Sequence, residues 1–213
     1  MGTESIETSF LSIFALISFF VFLLISKFAH KIRGGALLDK DFLKPQAFHE
    51  TPITRSGGIA AIISLSIFFY IYHLLYAEVL YNYIFISLSV FTIGFLDDLR
   101  INIKPLSRLI IMILLLFACI YMLPIKILNV DIPFLTSLMS SPMFSSIFVL
   151  LCFLFVINGA NLIDGFNGLL TINLIIINII LTYININNGN LEFSILIISQ
   201  IIILLSFLLF NFP

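Results

Sequence analysis

Seven long apolar runs separated by short polar segments set the pattern of this chain. They cover residues 9–28, 57–76, 79–96, 105–123, 142–157, 169–183 and 193–210, the fifth and sixth being short. A helix needs about 20 mostly apolar residues to cross the hydrocarbon core of a bilayer. Helical periodicity adds little here, because helices surrounded by lipid and protein lose their polar stripe. Strands of a membrane barrel would be about 10 residues long with apolar–polar alternation, whereas these runs are longer and apolar throughout. The pattern predicts an all-α, polytopic transmembrane helix bundle of about seven spans, forming one integral membrane domain over residues 1–213.

Composition agrees with that expectation. Hydrophobic residues make up 61% of the chain and charged residues 10%, where a soluble domain carries about 25% charged residues. Mean hydropathy is +1.20. The first run is not a secretory signal: Glu4 and Glu7 precede it in place of a positive region, and no small-residue cleavage site follows it. The net charge of −1 and the lack of a basic arm give no reason to expect nucleic acid as a partner. Cys119 and Cys152 lie inside predicted spans and read as small apolar packing residues, not as a disulfide or metal pair.

Charge sets the expected orientation. Of the 10 Lys and Arg residues, Lys27, Lys31, Arg33, Lys40, Lys44 and Arg55 flank or occupy the loop between spans one and two. Arg100, Lys104 and Arg108 lie in or beside the loop between spans three and four, and Lys126 alone falls on the other side. Basic residues accumulate on the cytoplasmic side of a membrane, so the N-terminus is expected outside. The loop with Asp39, Asp41 and His49, the pair Asp97-Asp98 and residues 158–168 are then expected inside. The outer connectors are residues 77–78, 124–141 and 185–192. The longest polar stretch, residues 29–56, is read as a loop of about 28 residues, a length associated with function or disorder. The asparagines between 185 and 190 read as a solvated turn.

Three polar clusters lie on that inner side. Asp97-Asp98 ends the third run; adjacent acids diverge on a helix, so one is free to ligate a divalent cation while the other meets a second group, or both cap a helix end. The segment Asn158-x-x-Asn161-x-x-Asp164-Gly165-x-Asn167-Gly168 puts amides and a carboxylate near one face if helical, suited to a nucleotide or sugar; the bland reading is a polar turn. In the segment from His49 to Gly58, Arg55 offers a planar fork for phosphate. Gly57-Gly58 would expose backbone N–H groups at a helix start; the bland reading is a basic anchor with a flexible entry. Among lesser candidates, His73 reads as interfacial, and Asn173, Asn178 and Gln200 read as bonding to neighbouring helices. Lys104 and Arg108 are placed to reach a phosphate or to anchor span four. A small transporter would carry ionisable groups at mid-membrane, and these spans have almost none.

Taken in order, the three segments resemble those of the polyprenyl-phosphate N-acetylhexosamine-1-phosphate transferases, glycosyltransferase family 4. His49, Pro52, Arg55, Gly57 and Gly58 match its H-x-x-P-T-P-R-x-G-G type segment. Gly94, Asp97 and Asp98 match G-x-x-D-D. Asn158, Asn161, Asp164, Gly165, Asn167, Gly168 and Leu169 match N-x-x-N-x-x-D-G-x-[D/N]-G-L. Thr54 stands in place of the usual proline, and Asn167 where many members carry aspartate.

The resemblance implies transfer of N-acetylhexosamine-1-phosphate from a UDP-N-acetylhexosamine to undecaprenyl phosphate, with release of UMP. This is the first step of a lipid-linked cell-envelope polysaccharide at the bacterial inner (plasma) membrane, with the active site facing the cytoplasm. Its implied cofactor is Mg²⁺ or Mn²⁺, held by Asp98 and Asp164. Asp97 and Asp98 are the implied catalytic residues, with one-step and covalent two-step routes both open. Asn158, Asn161, Asp164, Asn167, Arg55, Lys104 and His49 are the implied substrate-binding residues. A homodimer follows by analogy alone, and UDP-MurNAc-pentapeptide, the donor of the peptidoglycan branch, is less favoured. Members have ten or eleven spans, so the chain is expected to be the N-terminal part of such an enzyme. The alternative is an inactive remnant or a fragment dependent on a partner chain.

Overall fold

The computed structural model describes residues 2–29, 38–39, 53–54, 56–98, 105–123, 125, 127, 130, 132–163 and 168–211. The elements in order are α1 (Gly2–Ala29), β1 (Leu38–Asp39), β2 (Ile53–Thr54), α2 (Gly57–Tyr76), α3 (Tyr81–Asp98), α4 (Pro105–Met122), α5 (Pro133–Met139), α6 (Pro142–Ile163), α7 (Leu169–Asn187) and α8 (Leu191–Asn211). The all-α expectation holds. The one departure among the described residues is a two-residue antiparallel ladder pairing Leu38 with Thr54 and Asp39 with Ile53, which ties together the two arms of the stretch expected to be an open loop.

Each apolar run forms one long helix. Five stretches are long and apolar enough to cross a membrane: Thr8–Ala29, Gly57–Tyr76, Pro142–Ala160, Leu169–Asn187 and Leu191–Phe210. The apolar parts of α3 and α4, Tyr81–Phe95 and Leu106–Met122, are shorter. Two boundaries move relative to the sequence reading. Helix α6 continues past residue 157 through the first asparagines of the amide-rich segment, ending at Ile163. Helix α7 continues through Asn185, so the solvated turn shrinks to residues 188–190. That turn is a Schellman cap: Gly189 takes φ 75°, its N–H donates to the Ile186 carbonyl at 3.0 Å, and the Asn190 N–H donates to the Asn185 carbonyl at 2.9 Å. The connector before α6 also holds an unforeseen short helix, α5, which starts on Pro133 and is braced by Thr136 Oγ1 donating to the Val130 carbonyl.

The chain divides into two compact units, Met1–Leu80 with Ile163–Pro213, and Tyr81–Leu162. In the first, α1, α2 and α8 pack on one another and α7 packs on α8. The seam is aromatic. Phe10 stacks on Phe68 with ring centroids 5.5 Å apart, Phe14 meets Phe68 edge-on at 5.2 Å, and Phe22 contacts Phe207 and Phe210. These contacts fix direction. The C-terminal halves of α1 and α8 lie together, while the N-terminal half of α1 meets the middle of α2, so α2 runs against both.

Serines 18, 64, 199 and 206 are buried in this unit. Small residues let helix backbones approach closely where no hydrophobic force separates protein from lipid. Ser199 and Ser206 donate their hydroxyls to carbonyls of their own helix, Leu196 and Ile202. Asn173, expected to bond a neighbouring helix, does the same: its Nδ2 donates to the Leu169 carbonyl at 2.9 Å. These three groups take the nearest acceptor, about one turn back on their own backbone, whereas the buried hydroxyls of Ser18 and Ser64 find no partner among the described residues.

In the second unit, Ile93 of α3 and Met112 and Leu116 of α4 form the buried core, with Leu150, Phe153, Leu154 and Ile157 of α6 packed against it. Cys119 is buried, Cys152 half-buried, and both thiols are free, as expected of packing residues.

One packing contact makes a sharp prediction. A Cβ on Gly57 would collide with Cε2 of Phe207 and lie 2.9 Å from its Cδ2, whereas a Cβ on Gly58 would meet open space. Gly57→Ala is expected to cost about 1–3 kcal/mol of stability, the usual range for overpacking, and Gly58→Ala to be neutral. Thermal unfolding in detergent would check this, and Phe207→Leu should recover part of the Gly57→Ala loss.

Candidate functional site

The polar clusters are positioned by helix ends, and the packing shows which ends lie together. In the second unit the residues that matter lie one turn beyond a shared core. Ile93 precedes Asp97 by four residues, Leu154 precedes Asn158 by four, Ile157 precedes Asn161 by four, and Met112 follows Arg108 by four; Ile93, Met112, Leu154 and Ile157 all belong to one hydrophobic cluster. A spacing of four is about one helical turn, roughly 6 Å along the axis. The C-terminal ends of α3 and α6 and the N-terminal end of α4 therefore emerge at the same end of this unit. The backbone there carries Asp97-Asp98, Arg108 and Asn158 with Asn161.

Asn158 is half-buried, and its Nδ2 donates to the Leu154 carbonyl at 2.8 Å. That bond occupies one of its two amide protons and leaves the amide oxygen for another partner. The helical reading of the amide segment holds for Asn158 and Asn161, which sit three residues apart on α6. Asp164 and Asn167 lie outside the described residues, as do His49, Arg55 and Lys104 and the side chains of Asp97, Asp98 and Asn161.

In the first unit a second set of ends lies together. Gly57 at the start of α2 lies against Phe207 near the end of α8. The tight α7–α8 turn puts the start of α7 at that same end, and the Phe22–Phe210 stack adds the last turns of α1 with Lys27. Ser56 and Gly168, the described neighbours of Arg55 and Asn167, are both buried at this end. Gly168 takes φ 78° as the N-cap of α7, and its carbonyl accepts the Ile172 N–H at 2.9 Å. That left-handed backbone is the physical reason for a glycine at the close of the amide segment. Gly57 also gives α2 its close approach to α8.

Among the described residues no three His, Cys, Asp or Glu side chains gather. His73 is exposed in the last turn of α2 with Nδ1 3.3 Å from the Glu78 carbonyl, at the opposite end of its helix from Gly57, consistent with an interfacial role.

Residues 80–213 match the sequence pattern described as glycosyl transferase family 4. The chain belongs to this family. The match covers more than half of the chain and includes both the Asp97-Asp98 pair and the whole amide segment. The segment from His49 to Gly58 lies outside it. No curated protein and no solved structure matches the chain. Family membership and the apolar helices make this a multi-pass membrane protein of a sugar-phosphate transferase family.

Two glycines of the amide segment separate spacing from conformation. Gly159 is helical and a Cβ there would meet nothing within 4 Å, so Gly159→Ala is expected to raise stability by about 0.5–1 kcal/mol. Gly168→Ala is expected to lower it by about 1–2 kcal/mol, the cost of a left-handed conformation for a residue with a Cβ. Unfolding by denaturant in micelles would register opposite signs.

Proposed function

We propose that the chain transfers N-acetylhexosamine-1-phosphate from a UDP-N-acetylhexosamine to undecaprenyl phosphate. An oxygen of the lipid phosphate bonds to the phosphorus that carries the sugar. The bond from that phosphorus to the bridging oxygen breaks, and the bridging oxygen leaves with UMP. The observation that supports this reading best is the common end of α3, α4 and α6, where an acidic pair, a cation and amides leave one apolar core. A lipid acceptor and a water-soluble donor meet only at the rim of a membrane bundle. Phosphoryl transfer between two anions needs positioning and charge neutralisation above all.

In this reading Asp97 orients the lipid phosphate and accepts its proton where one is present. Asn158, Asn161 and Asn167 hold the donor through hydrogen bonds. Arg55, Lys104 and His49 face phosphate. The donor set suits a hard dication: Asp98 and Asp164 carry carboxylate oxygens and the neighbouring amides carry neutral ones, the ligand types that Mg²⁺ and Mn²⁺ take. When bound, such an ion supplies charge neutralisation for the diphosphate. In this reading the end faces the cytoplasm at a bacterial plasma membrane, and the excess of basic residues flanking it supports the cytoplasmic side.

Asp97→Asn and Asp98→Asn are each expected to reduce UMP release by about 10²–10⁴-fold, the range for losing a positioned base or an electrostatic stabiliser, while membrane insertion is unchanged. The assay uses purified protein with UDP-GlcNAc, undecaprenyl phosphate and Mg²⁺. Turnover by either variant equal to that of the parent chain would overturn the assignment. Release only when a partner chain is supplied would favour the reading of a partner-dependent fragment.

A further inference from the structure

Two buried hydroxyls in the first unit lack the bond that a helical serine ordinarily makes. Ser18 of α1 and Ser64 of α2 are both 0% exposed, and neither Oγ has a hydrogen-bond partner among the described residues. A serine in a helix has an acceptor close at hand, the carbonyl one turn back. On the exposed sides of the same two helices, Ser12 donates to the Thr8 carbonyl at 2.8 Å and Ser66 to the Ile62 carbonyl at 2.7 Å. Buried Ser199 of α8 donates to the Leu196 carbonyl at 2.7 Å. Ser18 and Ser64 forgo this bond, so their hydroxyls are turned off the backbone and into the seam where α1 packs on α2.

The aromatic contacts order that seam. Phe68 of α2 touches both Phe10 and Phe14 of α1, with ring centroids 5.5 and 5.2 Å apart, and so sits between them. The two helices run in opposite directions, so a step forward along α1 and a step back along α2 go the same way. After Phe14 come Ser64, Ser18 and Ala60, all at 1% exposure or less. One turn further on, Phe22 meets Phe207, the ring that also lies against Gly57. A row of small side chains is thus enclosed by rings on either side. Such a row by itself only brings backbones close; the two unpartnered hydroxyls aimed into it ask for a ligand. Ser18 stands at the middle of the apolar stretch Thr8–Ala29, and Ser64 lies inside Gly57–Tyr76, about two turns from its start. Bulk water is absent at that depth, and a hydroxyl buried there without a partner is costly.

We propose that Ser18 and Ser64 together bind one water molecule between α1 and α2. Each hydroxyl makes one hydrogen bond with it, and the carbonyls of Phe14 and Ala60, one turn back along each helix, offer a spare lone pair for a third. Three bonds are what a buried water typically makes. No charged side chain stands in the row, so its chemistry suits a neutral molecule, and side chains this small and closely packed suit the smallest one. The bound water is a polar link between the first two spans, and the inference is independent of the proposed reaction.

Transfer of nuclear magnetisation from water to serine protons tests this. The full chain would be deuterated except at serine and placed in bicelles of deuterated lipid. In the parent chain, transfer is expected to the Hβ protons of Ser18 and Ser64 and not to those of Ser199, whose hydroxyl is bonded to its own helix. Ser18→Ala is expected to abolish transfer at Ser64, and Ser64→Ala to abolish it at Ser18, because one bridging water needs both hydroxyls. No transfer to either serine in the parent chain would overturn the proposal before any variant is made. Transfer at one serine that survives loss of the other, or transfer at Ser199 as strong as at the pair, would overturn it too.

Discussion

The hydrocarbon core offers no water, and every backbone N–H and C=O inside it must find its partner within the protein. Nearly everything observed in this chain follows from that one constraint. It makes each apolar run a helix, and it keeps polar side chains on local terms. Thr92 gives its hydroxyl proton to the Leu88 carbonyl, Thr182 to Asn178 and Ser66 to Ile62, while the Asn185 amide donates to Leu181. Each is a bond to the preceding turn of the same helix. The polar residues placed to meet a ligand stand at helix ends, Asp97 and Asp98 on α3 and Asn158 and Asn161 on α6.

Packing between helices then decides which ends converge, and the two units solve this differently. The first interlocks large rings with small residues. Phe14 and Phe68 are fully buried beside buried serines, and Gly57 leaves room for the Phe207 ring. The second relies on aliphatic contacts around Ile93, Met112 and Leu116. In the second unit the core lies within a turn or two of the ends that carry the candidate residues, and in the first the contacts of Phe22 with Phe207 and Phe210 and of Gly57 with Phe207 do so. A rigid seam close to a helix end limits how far that end can wander, and catalytic geometry tolerates displacements of well under an ångström.

Much of this is legible in the sequence because the solvent imposes a simple code. Apolar length sets the number of long helices, and the three polar segments carry the family resemblance by their spacing alone. What escapes the sequence are features set by contacts between distant residues or by backbone conformation. The role of Gly57 depends on Phe207, 150 positions away in the chain. The sequence leaves a helix and a turn both open for the amide segment; α6 continues through Asn158 and Asn161 because its core contacts at Leu154 and Ile157 are already made one turn earlier. Asn173 reads as reaching a neighbour because its own carbonyl ladder offers no sequence signal. Helix α5 begins on a proline in a segment with no apolar run long enough to show.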